Sequence, residues 1–574
     1  MKKLIVSLTV LFLVALSASA GALSSQELKP AGWWGYDALV QLSAEDGKVL
    51  FFDNAPVSVA EIKSYLNQID YDSLSDSGKK LYDRLLDEFK QPGIAFKSDA
   101  VSISGGLQLN PELYYKSNKN IDWTFNYYYK DNVLTVPISI DVFDSFFIET
   151  DLFLGKAYWA VKQPDNFTNV PLGYNDFEFL FPKNAYFSTG KKLTDSSGIS
   201  FQMGRAPLSI GNAETPSIIL SECYETDFFA KASFYSPKVR YELLVIQQEV
   251  NKYFYLHHLE VRPFDKFQLG AVEGMFINAP FELRFLNPLT IMHQMAPWIS
   301  YDGYNESTSD GDFKYYGESR VCAYLGVTFD WSPCKYLRVY GLYAQNEIQS
   351  LSELESVRGR MFPNSLGGQL GAELNIPSRA GGYWQYAVEG LYTTPWLYIK
   401  HDPDWSLFRA RLDNLYNDGP ICSWVGTPLG PDSIAAEAKF GYDSGKKWNV
   451  NLVYSLIVQG ENSFNLFYKD GTWKPNPDYY DEAEDEYTYY PVAGFDAGKY
   501  TEEEAIAIAR NEITPTGTPQ YNNSVAVNAS YAVNDRITLS GKVVYTAVMN
   551  NDHVVDNFQQ GVEVATSVKI TLLK

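Results

Sequence analysis

From about Val101 to the end, the chain alternates apolar and polar residues with a period of two, in segments of about ten residues. The last segment shows the pattern most clearly, with its apolar series at Val562, Val564, Val568, Ile570 and Leu572. Successive side chains of a strand point to opposite faces, so each segment has one apolar and one polar face. Roughly eighteen segments of this length, joined by short turns, predict an all-β fold: a transmembrane antiparallel β-barrel of about 18 strands.

The remaining composition fits strands in a membrane better than helices. Beyond residue 20 there is no uninterrupted apolar stretch of about 18 residues, the minimum for a spanning helix. Aromatic residues make up 15% of the chain, with 42 Tyr, 34 Phe and 12 Trp. Aromatic girdles at the two interfaces of a barrel would use them. The alternative is a soluble periplasmic β-protein rich in aromatic residues.

The first residues have the form of a secretory signal. Met1-Lys2-Lys3 is followed by an apolar run over residues 4–16 and then by Ala18-Ser19-Ala20. A basic start, a short apolar run and small residues at the cleavage site predict a signal peptide over residues 1–20. Together with the strand pattern, this predicts location in the outer membrane.

Residues 21–98 have a helical pattern and precede the barrel, which we assign to residues 99–574. Ser58 and Glu61 have the spacing of a capping box at a helix start. Ile62, Tyr65, Leu66 and Ile69 follow at helical spacing. A second helix is predicted to start at Ser75 or Ser77. We expect a small periplasmic helical module here; a linker with transient helices is the alternative.

Long polar segments interrupt the strands. Residues 302–318 are rich in Asp, Gly, Ser and Asn, and residues 460–522 are longer and acidic. Within the latter, the acids after Thr501 predict a short helix that ends near Asn511. Long loops of outer-membrane barrels face outward, so the 460–522 loop is predicted to be extracellular or folded into the mouth of the barrel.

Charge and motifs exclude several classes of function. The formal net charge of −22 argues against nucleic acid as a partner. No signature of a serine hydrolase, a zinc protease, a nucleotide-binding loop or a dinucleotide fold occurs. There are five histidines, and the adjacent pair His257-His258 would point to opposite faces of a strand. We therefore predict no catalytic residue, no metal and no cofactor.

The polar faces of the strands supply the candidate functional residues. We select nine side chains as an inward-facing polar network and candidate ligand site: Arg205, His258, Glu260, Arg262, Glu273, Arg338, Glu389, Arg409 and Arg411. In this interpretation Arg409 and Arg411 point inward from a barrel strand whose Phe408, Ala410 and Leu412 face lipid. Arginine–carboxylate pairs could simply brace a wide barrel; alternatively they could form a track for sugar hydroxyls and carboxylates.

Three sequence blocks, in this order, resemble a known family. They are residues 204–211 (GRAPLSIG), residues 255–262 (YLHHLEVR) and residues 269–273 (LGAVE). Leu286-Asn287-Pro288-Leu289 and residues 426–432 (GTPLGPD) follow later in the chain. The combination resembles the Wzi family of capsule-assembly outer-membrane proteins. Two features depart from that pattern: the last residue is Lys574 instead of an aromatic, and the acidic 460–522 region has no counterpart.

The resemblance implies a closed barrel with a helical periplasmic bundle and a lectin-like role without catalysis. We therefore expect a monomer that contacts outer-membrane lipid and binds or anchors surface polysaccharide. A porin-like channel for small solutes is the first alternative, since the barrel alone supports it equally well. An outer-membrane hydrolase is the second, and it would need a compact cluster of catalytic side chains at the extracellular rim.

Overall fold

The computed structural model describes most of the chain from residue 24 onward. The described residues are 24–89, 94–98, 100–121, 132–157, 160, 165–179, 182–224, 228–293, 321–348, 363–400, 403, 406–411, 420–445, 447–468, 472, 474–476, 480–481, 486–487 and 502–573. The predicted signal peptide and the 302–318 loop lie outside them.

Three helices precede the barrel and a fourth lies between two of its last strands. They are α1 (Gly35–Asp46), α2 (Val59–Leu66), α3 (Asp76–Glu88) and α4 (Glu502–Asn511). The starts of α2 and α3 follow from their caps, because Ser58 accepts a hydrogen bond from the Glu61 amide and Ser75 accepts one from the Gly78 amide. Both predicted helices of the N-terminal region are present, and α1 is an addition. None of the helices in the described residues is long and apolar enough to cross a membrane.

Eighteen antiparallel strands form a closed barrel, as predicted. Strand β1 is interrupted and consists of Val101–Gly105, Leu107–Leu109 and Glu112–Lys116; β4 consists of Phe177–Phe179 and Ala185–Thr194. The others are β2 (Leu134–Val142), β3 (Phe146–Lys156), β5 (Ser197–Arg205), β6 (Phe228–Tyr235), β7 (Val239–Glu249), β8 (Lys252–Phe264), β9 (Phe267–Asn278), β10 (Val321–Trp331), β11 (Leu337–Glu347), β12 (Ser365–Pro377), β13 (Tyr383–Thr393), β14 (Ser433–Asp443), β15 (Trp448–Gln459), β16 (Gln520–Asn534), β17 (Ile537–Met549) and β18 (Gln559–Leu573). Consecutive strands pair, and β18 returns to β1.

Short strands outside this set form small two-stranded sheets or extend β1. Leu28–Lys29 pairs with Val57–Ser58, and Asn54–Ala55 pairs with Ser209–Ile210. Ile94–Lys97 pairs with the first part of β1. Phe408–Arg411 pairs with Ile421–Trp424, and Tyr480–Asp481 pairs with Glu486–Tyr487.

The outward rows of the strands are apolar and exposed, as a membrane requires. In β16 and β17 these rows include Val525, Val527, Leu539 and Val543. Near the short turns the same outward face is aromatic. The Trp384 ring stacks on Phe440 at 5.6 Å between centroids, and Tyr442 lies 5.0 Å from Trp448. This end of the barrel therefore carries an aromatic girdle.

The N-terminal residues 24–89 pack inside the barrel at the end with the short turns. Helix α1 contacts β11 and β12, and α2 contacts β5. The backbone also joins this region to the turns, since the Val49 amide donates to the Asp265 carbonyl and the Tyr336 amide to the Ala44 carbonyl. The helices share an apolar core that includes Leu39, Leu42, Phe51, Ile62, Leu66 and Leu85. The module thus fills part of the lumen.

At the opposite end, loops between later strands form a second apolar core within the barrel. Phe408 and Trp424 pack with Phe464 and Phe467, and the Trp396 indole donates to the Ala509 carbonyl of α4. Phe408–Arg411 therefore belongs to an inner hairpin, and its prediction as a barrel strand with Phe408 toward lipid is wrong. A four-residue alternation cannot distinguish the two. Helix α4 is present, and the loop that contains it ends at Gln520.

A segment after β9 folds back over the outer face of the barrel. Phe285 and Met292 cover the outward side chains Tyr255, Met275 and Ile277. The His257 imidazole hydrogen-bonds to the Phe285 carbonyl at 3.1 Å, and the His293 amide donates to Glu273 at 3.1 Å. We call residues 279–293 the outer strap.

Candidate functional site

The inward face of β6–β8 meets the N-terminal module through a buried ion cluster centred on Arg240. The Arg240 guanidinium lies 2.7 Å from Glu61 of α2, 2.6 Å from Glu242 and 3.1 Å from Glu260. Lys231 approaches Glu242 at 2.9 Å. All five side chains are almost wholly buried. The cluster therefore joins the helix to the barrel wall and excludes solvent.

Uncharged partners extend this cluster along the wall. Asn54 donates to Glu260 at 2.5 Å and its carbonyl oxygen bonds His258 at 2.8 Å. The Gln268 amide bridges Glu260 at 2.7 Å and Asp53 at 3.0 Å. Since Asn54 and Asp53 belong to the module, the bonds that they make cross from the module to the wall, whereas the Gln268–Glu260 bond joins two neighbouring strands.

A second cluster surrounds Arg338 on β11. Its guanidinium pairs with Asp330, lies 2.8 Å from Glu373, and donates to the Asn212 carbonyl at 2.6 Å. Asp53 lies 3.9 Å from the same guanidinium. Burial, followed by the nearby carboxylates of Asp330 and Glu260, raises the pKa of Asp53 well above its ordinary value.

Next to this cluster, Glu389 anchors the loop at residues 211–217. Its carboxylate accepts from the Glu214 amide at 2.9 Å, from the Tyr340 hydroxyl at 2.5 Å, and from Gln369 at 2.8 Å. It also accepts from the Thr215 amide and hydroxyl. The loop is therefore held in one position against the wall before any ligand arrives.

Two adjoining cavities lie between α1 and this loop, with volumes of about 200 and 190 Å³. Both are lined by Asp37, Asn212, Ala213 and Glu214. The first also has Trp33 and Tyr36 in its walls. The second has these polar side chains in its walls: Gln41, Glu373, Asn375, Gln385 and Lys439. An aromatic ring beside many amides and carboxylates is suited to a ligand that carries hydroxyl groups.

The wall formed by β14–β18 is covered less than the wall of β6–β12. Its inward side chains include Asn528, Ser540 and Lys542, which keep contact with solvent. By contrast, the inward residues of β7 are buried throughout. The lumen is therefore filled along β6–β12 and accessible to solvent along β14–β18.

The structure brings together five of the nine predicted site residues. His258, Glu260, Arg262, Arg338 and Glu389 are inward and buried. Arg262 donates to the Val49 carbonyl at 2.8 Å and to Gln68 at 2.6 Å, so it too joins wall to module. Whether any of them binds a ligand stays a prediction.

The other four lie elsewhere or are not described. Glu273 pairs in register with His257 and points outward under the outer strap, so its predicted place in the lumen is wrong. Arg205 pairs with Ala185, in the row of Met203 and off the inward row of Gln202 and Tyr186. Its predicted inward position is wrong as well. Arg409 is buried in the inner hairpin, and the side chain of Arg411 lies outside the described part of the chain.

Sequence reasoning missed Arg240 as the centre of the cluster, although the alternation over residues 239–245 puts Arg240 and Glu242 on the polar face of that segment. It also missed Glu61, which was expected to complete a capping box. The Ser58 half of that box is formed, but the Glu61 carboxylate turns to Arg240 instead. A glutamate among apolar helical positions was the available signal.

No family profile and no curated protein matches the sequence. Among solved structures, the chain is similar to Wzi of Escherichia coli, an outer membrane protein involved in group 1 capsule assembly and a carbohydrate-binding β-barrel. The identity is 11%, the match covers 95% of this chain and 99% of Wzi, and the TM-score is 0.52. OprD of Pseudomonas aeruginosa matches at 7% identity over 82% of this chain and 96% of OprD, with a TM-score of 0.37. The channel DcaP of Acinetobacter baumannii matches at 9%, over 83% and 99%, with a TM-score of 0.33.

At 11% identity the likeness to Wzi establishes a shared fold alone. That fold, with its apolar outward rows and aromatic girdle, makes this protein an outer-membrane β-barrel.

Proposed function

We propose that this barrel binds surface polysaccharide and catalyses no reaction. The observation that carries the proposal is the content of the lumen. The chain's own helices and loops occupy it, and the space that they leave next to α1 is a pair of cavities lined by Trp33, amides and carboxylates. A filled barrel with a polar recess is better suited to holding a saccharide than to rapid passage of solutes.

The fold shared with a carbohydrate-binding barrel agrees with this proposal. So do the roles of the buried acids. Glu61, Glu242 and Glu260 are all held by Arg240, and Glu389 is committed to a loop. Carboxylates engaged in this way stabilise the structure and are not positioned as a pair for glycoside hydrolysis.

The test is retention of fluorescent capsule-type polysaccharides on liposomes that contain the full-length protein. We expect retention above that of protein-free liposomes, with no shortening of the polymer on gel filtration afterwards. Equal retention on both kinds of liposome would overturn the proposal. Shortened polymer would favour a hydrolase.

A solute channel is the second candidate, and the solvent-accessible inward face of β14–β18 favours it. A continuous passage beside the module would conduct ions. Steady single-channel openings of the wild-type protein in planar bilayers would support this candidate. Silence from protein that is shown to be inserted and folded would support a plugged barrel.

A further inference from the structure

We propose that the two cavities between α1 and the 211–217 loop form one site for a saccharide unit with a free, positively charged amino group. This inference rests on the proposed function and specifies its ligand. The cavities share Asp37, Asn212, Ala213 and Glu214, so one ligand can touch both. Together they lie in the lower part of the range for small-molecule sites, which begins at about 300 Å³.

Buried amides without partners point to a ligand here. Gln41 is 8% exposed and Asn375 is 6% exposed, and both line the second cavity. Within the described part of the chain neither side chain makes a hydrogen bond, and both amides face the cavity. Buried amides of folded proteins are normally paired. Hydroxyl groups of a sugar ring would both donate to and accept from these two side chains.

The charge of the site selects the kind of sugar. Glu214 is neutralised by Lys439 at 2.5 Å, and Glu373 by Arg338 at 2.8 Å. Within the described residues, Asp37 has no cation at ion-pair distance, and neither has Glu222 in the wall of the first cavity. The site therefore keeps an excess of negative charge. An ammonium group would be attracted to it, and the carboxylate of a uronic acid would be repelled.

Asp37 is oriented for this role. It lies in the first turn of α1, remains accessible from the cavity, and borders both recesses. A bound ammonium would give Asp37 the ion-pair partner that it lacks among the described residues.

The 211–217 loop, which forms the opposite side of the site, is held in place by the barrel wall before a ligand binds. Arg338 holds the Asn212 carbonyl, and Glu389 holds the Glu214 and Thr215 amides. Arg338 and Glu389 are thus positioning residues for the loop. Because this loop is already ordered, less conformational entropy is lost when a ligand binds, and the binding free energy is more favourable.

The experiment measures dissociation constants for full-length protein in detergent micelles by isothermal titration calorimetry. The probes are a glucosamine tetrasaccharide, its N-acetylated form, and an oligosaccharide of glucuronic acid with the same length. We expect the glucosamine oligomer to bind at least tenfold more tightly than the N-acetylated form, and the acidic oligomer to bind weakest. Equal affinity for all three would overturn the inference.

Asp37→Asn should weaken binding of the glucosamine oligomer at least tenfold and abolish the preference over the N-acetylated form. Glu222→Gln tests the same charge from the first cavity and should weaken it severalfold. Asp535→Asn, in the exposed turn before β17, is the matched control and should change nothing. Heat-modifiable gel migration confirms that each variant is folded.

An unchanged preference in folded Asp37→Asn and Glu222→Gln would overturn the inference. If the wild-type protein retains polysaccharide on liposomes but shows no preference for the amine, this inference alone fails. If no saccharide is retained and none titrates, the proposed function fails with it.

Discussion

Replacing Arg240 by Met tests whether the buried cluster holds the N-terminal module in the barrel. Methionine keeps most of the side-chain volume and removes the charge that Glu61, Glu242 and Glu260 share. Those three carboxylates lie within 3.1 Å of the guanidinium, and none has contact with bulk solvent. Removing one partner from a buried ion pair costs about 3–5 kcal/mol, because the remaining charge is left uncompensated.

A matched control is available on the same hairpin. Lys238 pairs with Asp265 at 2.7 Å, but both side chains are more than half exposed. Such surface pairs contribute about 0–1 kcal/mol. Lys238→Met should therefore lower the free energy of unfolding by at most about 1 kcal/mol, whereas Arg240→Met should lower it by about 3–5 kcal/mol.

The assay is guanidinium unfolding of the full-length protein in micelles, followed by tryptophan fluorescence. Trp33 and Trp34 belong to the module, so its release contributes to the change in fluorescence of the chain's 12 Trp. A shift of about 3 kcal/mol corresponds to more than a hundredfold in the unfolding equilibrium. If Arg240→Met and Lys238→Met differ by less than about 1 kcal/mol, the cluster does not hold the module, and our account of the lumen is refuted.

Three further predictions concern the module. The pKa of Asp53 is raised in the folded state, so its stabilising contribution is present below about pH 4 and is lost as the pH rises through the folded pKa. Asp53→Asn should therefore reduce the fall in the free energy of unfolding with rising pH. An unchanged slope would contradict this prediction. Deletion of residues 24–89 should leave a barrel that inserts but conducts ions in planar bilayers, where silence would show that the module is not a plug. Ser58→Ala should cost about 1 kcal/mol through loss of the α2 cap, measured by the same unfolding assay, and no loss would refute the cap.

Much of the fold follows from alternation and helix caps. Alternation assigns Arg240, Glu260 and Arg338 to the inward face, and a closed sheet permits no other register for those strands. The error at Glu273 arose from treating a charged residue as inward. Leu269 and Ala271, four and two residues before Glu273 on the same face, already indicate a lipid-facing row. The outer strap that shields Glu273 could not be predicted from the local sequence.

Other features depend on contacts between distant segments. Helix α1 was missed because its N-cap position is Trp34, which makes no side-chain capping bond, so the usual start signal is absent. The cavity between α1 and the 211–217 loop joins residues more than 170 positions apart. Its members become neighbours only when the barrel has closed, which is why Asp37, Gln41 and Asn375 carry no signature in the sequence.

The position of residues 24–89 inside a closed wall constrains the order of assembly. A helix whose glutamate binds Arg240 cannot pass between finished hydrogen-bonded strands, so the module enters either before the wall closes or through the end with the short turns. The barrel closes where the last strand, β18, pairs with the first, β1. That seam is interrupted, since β18 pairs with two separate parts of β1 and shifts register near Thr571. The broken seam between β18 and β1 is thus the place where the sheet can stay open until the N-terminal helices are seated.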